Sequence, residues 1–209
     1  MLGSSKKKIC IIDFDSGNIG SLVSLFEKLS VDYCVSRDDK EIEKCSHLIL
    51  PGVGSFSAAI KKIKQKVNIS LLEKEVLVKK KPILGICVGM QLMANVGHEF
   101  GKNKGLGWVK GSVKLIQSKQ FNLPHIGWNS VKFRKENLLF TGLRSDCDFY
   151  FVNSYCFNLD NQEEIIASTF YGQSFASIIN KDNIYGVQFH PEKSSKNGKK
   201  IILNFINET

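Results

Sequence analysis

Short β-branched runs alternate with helix-period stretches through the first half of the chain. Lys8 to Phe14 reads as a strand, Ile19 to Leu29 as an amphipathic helix and Asp32 to Ser36 as a second strand. His47 to Leu50 is a third strand, closed by a turn at Pro51 to Gly54. Amphipathic helices are predicted from about Phe56 to Lys80, then a buried strand at Pro82 to Ile86 and a helical pattern over Met90 to Val96. Strands separated by helices in this way predict βαβ units and a parallel sheet.

The pattern changes near Trp108. Val109 to Ile116, Trp128 to Phe133 and Phe149 to Phe157 read as strands separated by turn residues, the signature of antiparallel pairing. Ile165 to Tyr171, Phe175 to Asn180 and Ile184 to Phe189 add three more, and a closing helix runs from about Asn197 to Ile206. The expected fold is therefore α/β: a central, mostly parallel mixed sheet flanked by helices, with an additional antiparallel strand region. No internal repeat, low-complexity segment or linker divides residues 1–209, so one domain is expected, with residues 1–7 as a flexible N-terminal extension.

Composition narrows the function classes. With 43% hydrophobic and 23% charged residues in 209, the chain can bury one substantial core. No apolar run approaches the roughly 20 residues that span a bilayer, and Met1 to Lys8 has a basic cluster without an apolar segment or cleavage site after it. A cytoplasmic protein with no membrane association is expected. The net charge of +9 raises nucleic-acid binding, but only three of 29 basic residues are arginine (Arg37, Arg134, Arg144) and the lysines are spread along the chain. A solvated basic surface is the expectation, without a nucleic-acid partner. Cys10, Cys34, Cys45, Cys87, Cys147 and Cys156 form no C-x-x-C pair, so no metal or redox motif is read and most are expected as small buried hydrophobes.

Cys87 differs from the rest in its setting. Gly85-Ile86-Cys87-Val88-Gly89 reads G-x-C-x-G between an apolar strand and a helix, the layout of a nucleophile elbow. A helix N-terminus there would lower a thiol pKa and aim N–H groups at an oxyanion. Alone, the motif is matched by the simpler reading of a buried cysteine beside a helix. A second stretch, Gly186 to Glu192, brings His190 and Glu192 to the end of another strand, where an α/β sheet forms its ligand crevice. His190 could take the thiol proton and Glu192 hold the imidazole. Pro51-Gly52-Val53-Gly54 follows a strand at the same predicted edge and could supply main-chain amides for an oxyanion hole. His47 at the start of a core strand, His98 after a helix end at Gly97, and His125 in a loop near Trp128 are read as structural or solvated.

GICVGMQL at Gly85 to Leu92 together with GVQFHPE at Gly186 to Glu192 resembles the class I glutamine amidotransferases. Within them the chain is most similar to the glutaminase subunits of imidazole glycerol phosphate synthases. That closer likeness is carried by IIDFDSGNIGSL at Ile11 to Leu22, PGVGSF at Pro51 to Phe56, PHIGWN at Pro124 to Asn129, YFVNSY at Tyr150 to Tyr155 and HPEKS at His190 to Ser194.

The resemblance implies that Cys87 attacks the side-chain amide of L-glutamine, His190 shuttles the proton and Glu192 orients His190. It implies oxyanion-hole amides at Val53 and Val88, the Val53 peptide having to reorient first. Gly52, Gln91 and the main chain of Asn153, Ser154 and Tyr155 would hold glutamine. It implies no cofactor and a heterodimer with a (βα)8-barrel cyclase subunit that consumes the ammonia, with Asn18, Trp128, Tyr150 and Lys193 at the docking face. Trp128 also has a simple core-packing reading.

The sequence departs from the family pattern at Asn153, where histidine is usual, and at Asp15, where glycine is usual. Asn153 keeps a second acceptor open: a paralogous glutaminase that supplies a sugar amidotransferase in surface polysaccharide synthesis. A cysteine enzyme of the α/β-hydrolase type would also carry G-x-C-x-G, but it places the acid before the histidine, whereas Glu192 follows His190 by two. A non-catalytic chain that retains the fold is the third alternative, and the intact triad argues against it.

Overall fold

The structure, a computed structural model, describes residues 7–209. The extension expected over residues 1–7 falls, apart from Lys7, outside the described residues. The first half runs β1 (Lys8–Ile12), α1 (Ile19–Lys28), β2 (Asp32–Ser36), α2 (Asp39–Lys44), β3 (His47–Gly52), α3 (Phe56–Lys66), α4 (Ile69–Glu73), β4 (Ile83–Cys87) and α5 (Val88–Leu92). There follow β5 (Val96–Gly97), β6 (Asn103–Lys104), β7 (Gly111–Leu115), β8 (His125–Phe133), β9 (Cys147–Asn153) and β10 (Tyr155–Leu159). β11 (Ile165–Tyr171), β12 (Gln173–Lys181), β13 (Ile184–Val187) and α6 (Ser195–Glu208) complete the chain.

Nine strands form one sheet in the order β2-β1-β3-β4-β13-β12-β11-β8-β9. The pairings from β2 to β13 are parallel and the remainder antiparallel, so the expected mixed sheet is what forms. Burial explains the division. Every residue of β3 and β4 is buried, the mark of strands covered on both faces, whereas β8 keeps four exposed positions because one side meets solvent. A second, four-stranded sheet, β10-β7-β5-β6, packs beside the first.

Side-chain caps start several helices where the sequence offers them. Asp38 accepts the Lys40 and Glu41 amides at the head of α2, Ser55 the Ala58 amide of α3, and Asn68 the Leu71 amide of α4. α4 continues as a π-helical turn over Lys74–Val78, where the Glu75 carboxylate is 1% exposed and bridged by Lys79 at 2.5 Å and Lys81 at 2.8 Å. Among the described residues no helix is long and apolar enough to cross a membrane.

Four expectations are corrected. The helix expected over Met90 to Val96 is α5, which begins directly after Cys87 and ends at Leu92; Val96 and Gly97 instead pair with β6 and β7. His98 therefore follows a strand, not a helix. The strand expected from Phe149 to Phe157 is two strands: β9 belongs to the large sheet and β10 to the small one, and Ser154 is where the chain crosses between them. His125 lies not in a loop but at the start of β8, buried against Tyr171 with ring centroids 4.0 Å apart.

Candidate active site

Cys87 sits at the junction of β4 and α5 with φ 54° and ψ −112°, a conformation that costs a non-glycine residue free energy and is kept only where the surroundings enforce it. The enforcement comes from close packing of α5 on β3 and β4. A Cβ on Gly89 would lie 1.8 Å from the Leu50 carbonyl oxygen, and one on Gly85 would lie 2.7 Å from Met90 Cα. Glycine at both positions lets the helix start directly above the strand ends, which points the thiol out of the turn. Gly52 is the register partner of Cys87 on β3.

His190 follows β13, the strand beside β4, and reaches the same sheet edge. Its main chain is held on both sides. The His190 amide donates to Tyr150 O at 2.9 Å, and its carbonyl accepts from Ser194 Oγ at 2.6 Å, which in turn accepts the Tyr150 amide at 3.0 Å. His190 Nδ1 donates to Glu192 Oε1 at 2.9 Å, with the two side chains 6% and 1% exposed. The other ring nitrogen is left for Cys87. Burial works against a charge on His190, but the hydrogen bonds it gives to the Cys87 sulfur and the Glu192 carboxylate outweigh it and raise its pKa to about 10.

The thiol opens on a cavity of about 220 Å³ lined by Cys87, Val88, Gln91, Glu99, Asn153, Ser154 and Tyr155, with Gly54, Pro124 and Val152 completing it. A larger hollow of about 900 Å³ beside Arg134 and Tyr185 has neither a cysteine nor a histidine in its lining. Val88 opens α5, so its N–H has no partner within the helix. Gln91 spends its Nε2 hydrogens on Tyr155 O at 3.0 Å and Gln188 Oε1 at 2.9 Å, which leaves its oxygen as the free group. Asn153 Nδ2 donates to Tyr155 O at 3.1 Å, pinning the sheet-to-sheet crossing.

Val53 does not join the cavity. Its N–H donates to Ser16 O at 3.0 Å, and Ser16 Oγ donates back to Val53 O at 3.0 Å. The Val53 peptide is therefore turned away from the thiol, and of the two amides expected at the hole only that of Val88 borders the cavity.

Three site residues were not read from the sequence. Glu99 lines the cavity with one carboxylate oxygen accepting the Phe56 amide at 2.7 Å. Gln188 donates from Nε2 to Cys87 Sγ at 3.6 Å, and Ser194 braces the His190 turn. The signal for Gln188 and Ser194 was proximity to His190 in the strings already singled out; Glu99 had none, since it lies in an irregular loop.

The expected docking residues form a continuous patch. Trp128 and Tyr150 are register partners on β8 and β9 with rings 6.0 Å apart edge to face, and Lys193 Nζ lies 5.8 Å from the Tyr150 ring centre. Asn18 precedes α1, which packs on the Pro191–Lys193 turn. Trp128 is 54% exposed and Ile126, two residues before it on the same strand face, 60%. The core-packing reading of Trp128 is thus excluded. Outside the cavity, Cys10, Cys34 and Cys45 are one group among the described residues whose side chains could hold a metal ion.

An elbow thiol, a buried His–Glu pair and this mixed sheet define a cysteine amidotransferase. The glutamine amidotransferase class-I family matches residues 10–208, and the chain belongs to it. Among its relatives is imidazole glycerol phosphate synthase subunit HisH 2 of Methanococcus maripaludis, 44% identical over 96% of this chain and 99% of that protein. Imidazole glycerol phosphate synthase subunit HisH of Pelagibacter ubique is 41% identical over 95% and 99% of the two chains. Of solved structures, PurLQS from Thermotoga maritima superposes with a TM-score of 0.77 at 14% identity, covering 97% of this chain and 99% of that one, which establishes the fold alone.

Proposed function

We propose that the chain is the glutaminase subunit of an imidazole glycerol phosphate synthase, a cytoplasmic enzyme of histidine biosynthesis. It hydrolyses L-glutamine to glutamate and ammonia for a (βα)8-barrel cyclase subunit with which it forms a heterodimer. The observation that carries the reading is the strained Cys87 elbow facing the buried His190–Glu192 pair, in a chain over 40% identical across nearly its whole length to subunits of that synthase.

In this reading glutamine enters the cavity with its side-chain amide at Cys87. The Glu99 carboxylate matches the α-ammonium, while Gln91, Gly52 and the main chain of Asn153 to Tyr155 hold the rest of the amino-acid end. His190 takes the thiol proton as the sulfur attacks the amide carbon, and the resulting oxyanion is met by the Val88 N–H and by the Val53 N–H once that peptide has turned. His190 gives its proton to the amide nitrogen, the C–N bond breaks, and ammonia leaves a glutamyl thioester. Water then adds to the thioester with His190 as base, the C–S bond breaks, and glutamate is released with the thiol restored. Glu192 holds the imidazole in orientation throughout.

The docking patch supports a means of coupling. Tyr150 carries its ring between Trp128 and Lys193 and its main chain against His190, so a partner seated on the patch presses on the turn that positions the base. Asn153, in place of the usual histidine, keeps a second acceptor open, a sugar amidotransferase. Glutamate release is to be measured for the chain alone, with a cyclase barrel, and with barrel plus its nucleotide ligand. A large rise only in the last arm supports the histidine-pathway reading. Activation by a sugar amidotransferase and not by the barrel overturns it.

A further inference from the structure

Cys10 and Cys34 are register partners on the adjoining parallel strands β1 and β2, so their side chains leave the same face of the sheet. Cys45, which ends α2, comes down beside them. Cys34 Sγ and Cys45 Sγ are 3.5 Å apart, and all three sulfurs lie within 4.8 Å of one another. Cys10 and Cys45 are 0% and 1% exposed, while Cys34 is half-buried and leaves a way in. None of the three lines the catalytic cavity.

Buried cysteines commonly act as small apolar side chains, but packing alone does not require three sulfurs on separate elements to face one another. Their spacing suits a shared ligand. A cation about 2.3 Å from each of three sulfurs in a trigonal plane holds those sulfurs about 4.0 Å apart. The observed separations of 3.5 Å to at most 4.8 Å bracket that value. A disulfide would use only two of the sulfurs and need them at about 2.05 Å. The nearest ionic side chains, Lys8 and Glu41, are paired with each other at 3.2 Å, which leaves a donor set of sulfur alone. All-sulfur sites select soft metals.

We infer that Cys10, Cys34 and Cys45 form a three-thiolate site for a thiophilic divalent cation. Each thiol loses a proton as its metal–sulfur bond forms, so one ion displaces three protons and the site gains one net negative charge. A bound ion ties α2 to the first two strands and stabilises the folded chain by mass action.

The test titrates Cd²⁺ into reduced, metal-free full-length protein carrying Cys87→Ala, which silences the catalytic thiol. One equivalent should bind with a sulfur-to-metal charge-transfer band, release of about three protons and a rise in Tm. Adding Cys34→Ser should weaken that equivalent by more than the roughly 10–100-fold that losing a supporting hydrogen bond costs a metal site. Cys10→Ala should do the same in case Cys34→Ser folds poorly, and Cys147→Ser should leave binding intact. The inference is overturned if no tight equivalent binds, if it survives both Cys34→Ser and Cys10→Ala, or if Cys147→Ser removes it.

Discussion

The Val53 N–H is bound to the Ser16 carbonyl at 3.0 Å, and Ser16 Oγ is bound to the Val53 carbonyl at 3.0 Å. The two successive peptide groups on either side of the Val53 Cα are thereby each tied to Ser16, with the Val53 N–H already occupied. In the proposed mechanism that amide must turn toward the cavity, so Ser16 holds the resting state. Ser16→Ala removes one of the two bonds, worth about 0.5–1.5 kcal/mol. Glutamine hydrolysis by the chain alone should rise by about three- to tenfold, with the partner-stimulated rate changed far less. Steady-state glutamate release with and without the cyclase reads both, and an unchanged basal rate contradicts the assignment.

Glu192, after the Cys87 sulfur, helps to raise the pKa of His190 against its burial. Because the folded pKa of His190 is raised from 6.5 to about 10, its pairing stabilises the fold fully below pH 6.5 and loses that contribution as pH rises through about 10. Glu192→Gln should lower the His190 pKa in an NMR titration and cut kcat by about 10⁴-fold, the scale seen when a triad acid becomes an amide. A lowered pKa without a loss of kcat would leave Glu192 a structural partner only.

Trp128, 54% exposed and stacked edge-on to Tyr150, is the expected anchor of the docking face. Trp128→Ala should weaken the complex with the cyclase by at least about tenfold while leaving Tm nearly unchanged. Calorimetric titration against the barrel checks the first and thermal unfolding the second. Unaltered affinity would contradict the docking role of Trp128.

His47 gives the fold an acid weakness. Burial, then the Lys7 ammonium, outweigh the bond to Thr209 O and lower its pKa to about 4. The unfolded chain therefore binds a proton at this site below pH 6.5 that the folded chain refuses until about pH 4, and stability is lost as pH falls through that window. The loss is about 3 kcal/mol at most. His47→Gln, which keeps a polar group near Ser46 but does not titrate, should reduce the drop in denaturation free energy between pH 7 and pH 4. An identical drop in both proteins would place the acid sensitivity elsewhere.

Local pattern was enough to read the parallel core, because β3 and β4 are continuous apolar runs and α1 and α3 carry one apolar face each. The elbow and the His190–Glu192 pair were legible for a related reason: glycine beside a strand end and an acid two residues from a histidine are constraints written in adjacent positions. What lay beyond reach depended on contacts distant in sequence. β9 and β10 share one apolar run, and only their pairing with β8 and β7 separates them at Ser154. α2 is six residues long, too short for a periodic signal, and announces itself only by the Asp38 cap. Glu99 becomes a cavity residue because its loop folds back on the Phe56 amide, and the three converging sulfurs come from two strands and a helix end.

The central claim is that Cys87 makes ammonia from glutamine and the partner uses it. Its most direct test is the complex of the cyclase with Cys87→Ala, assayed for imidazole glycerol phosphate with glutamine in one arm and ammonium salt in the other. No product is expected from glutamine and full product from ammonium. Product from glutamine, or none from ammonium while the wild-type complex is active, would contradict it.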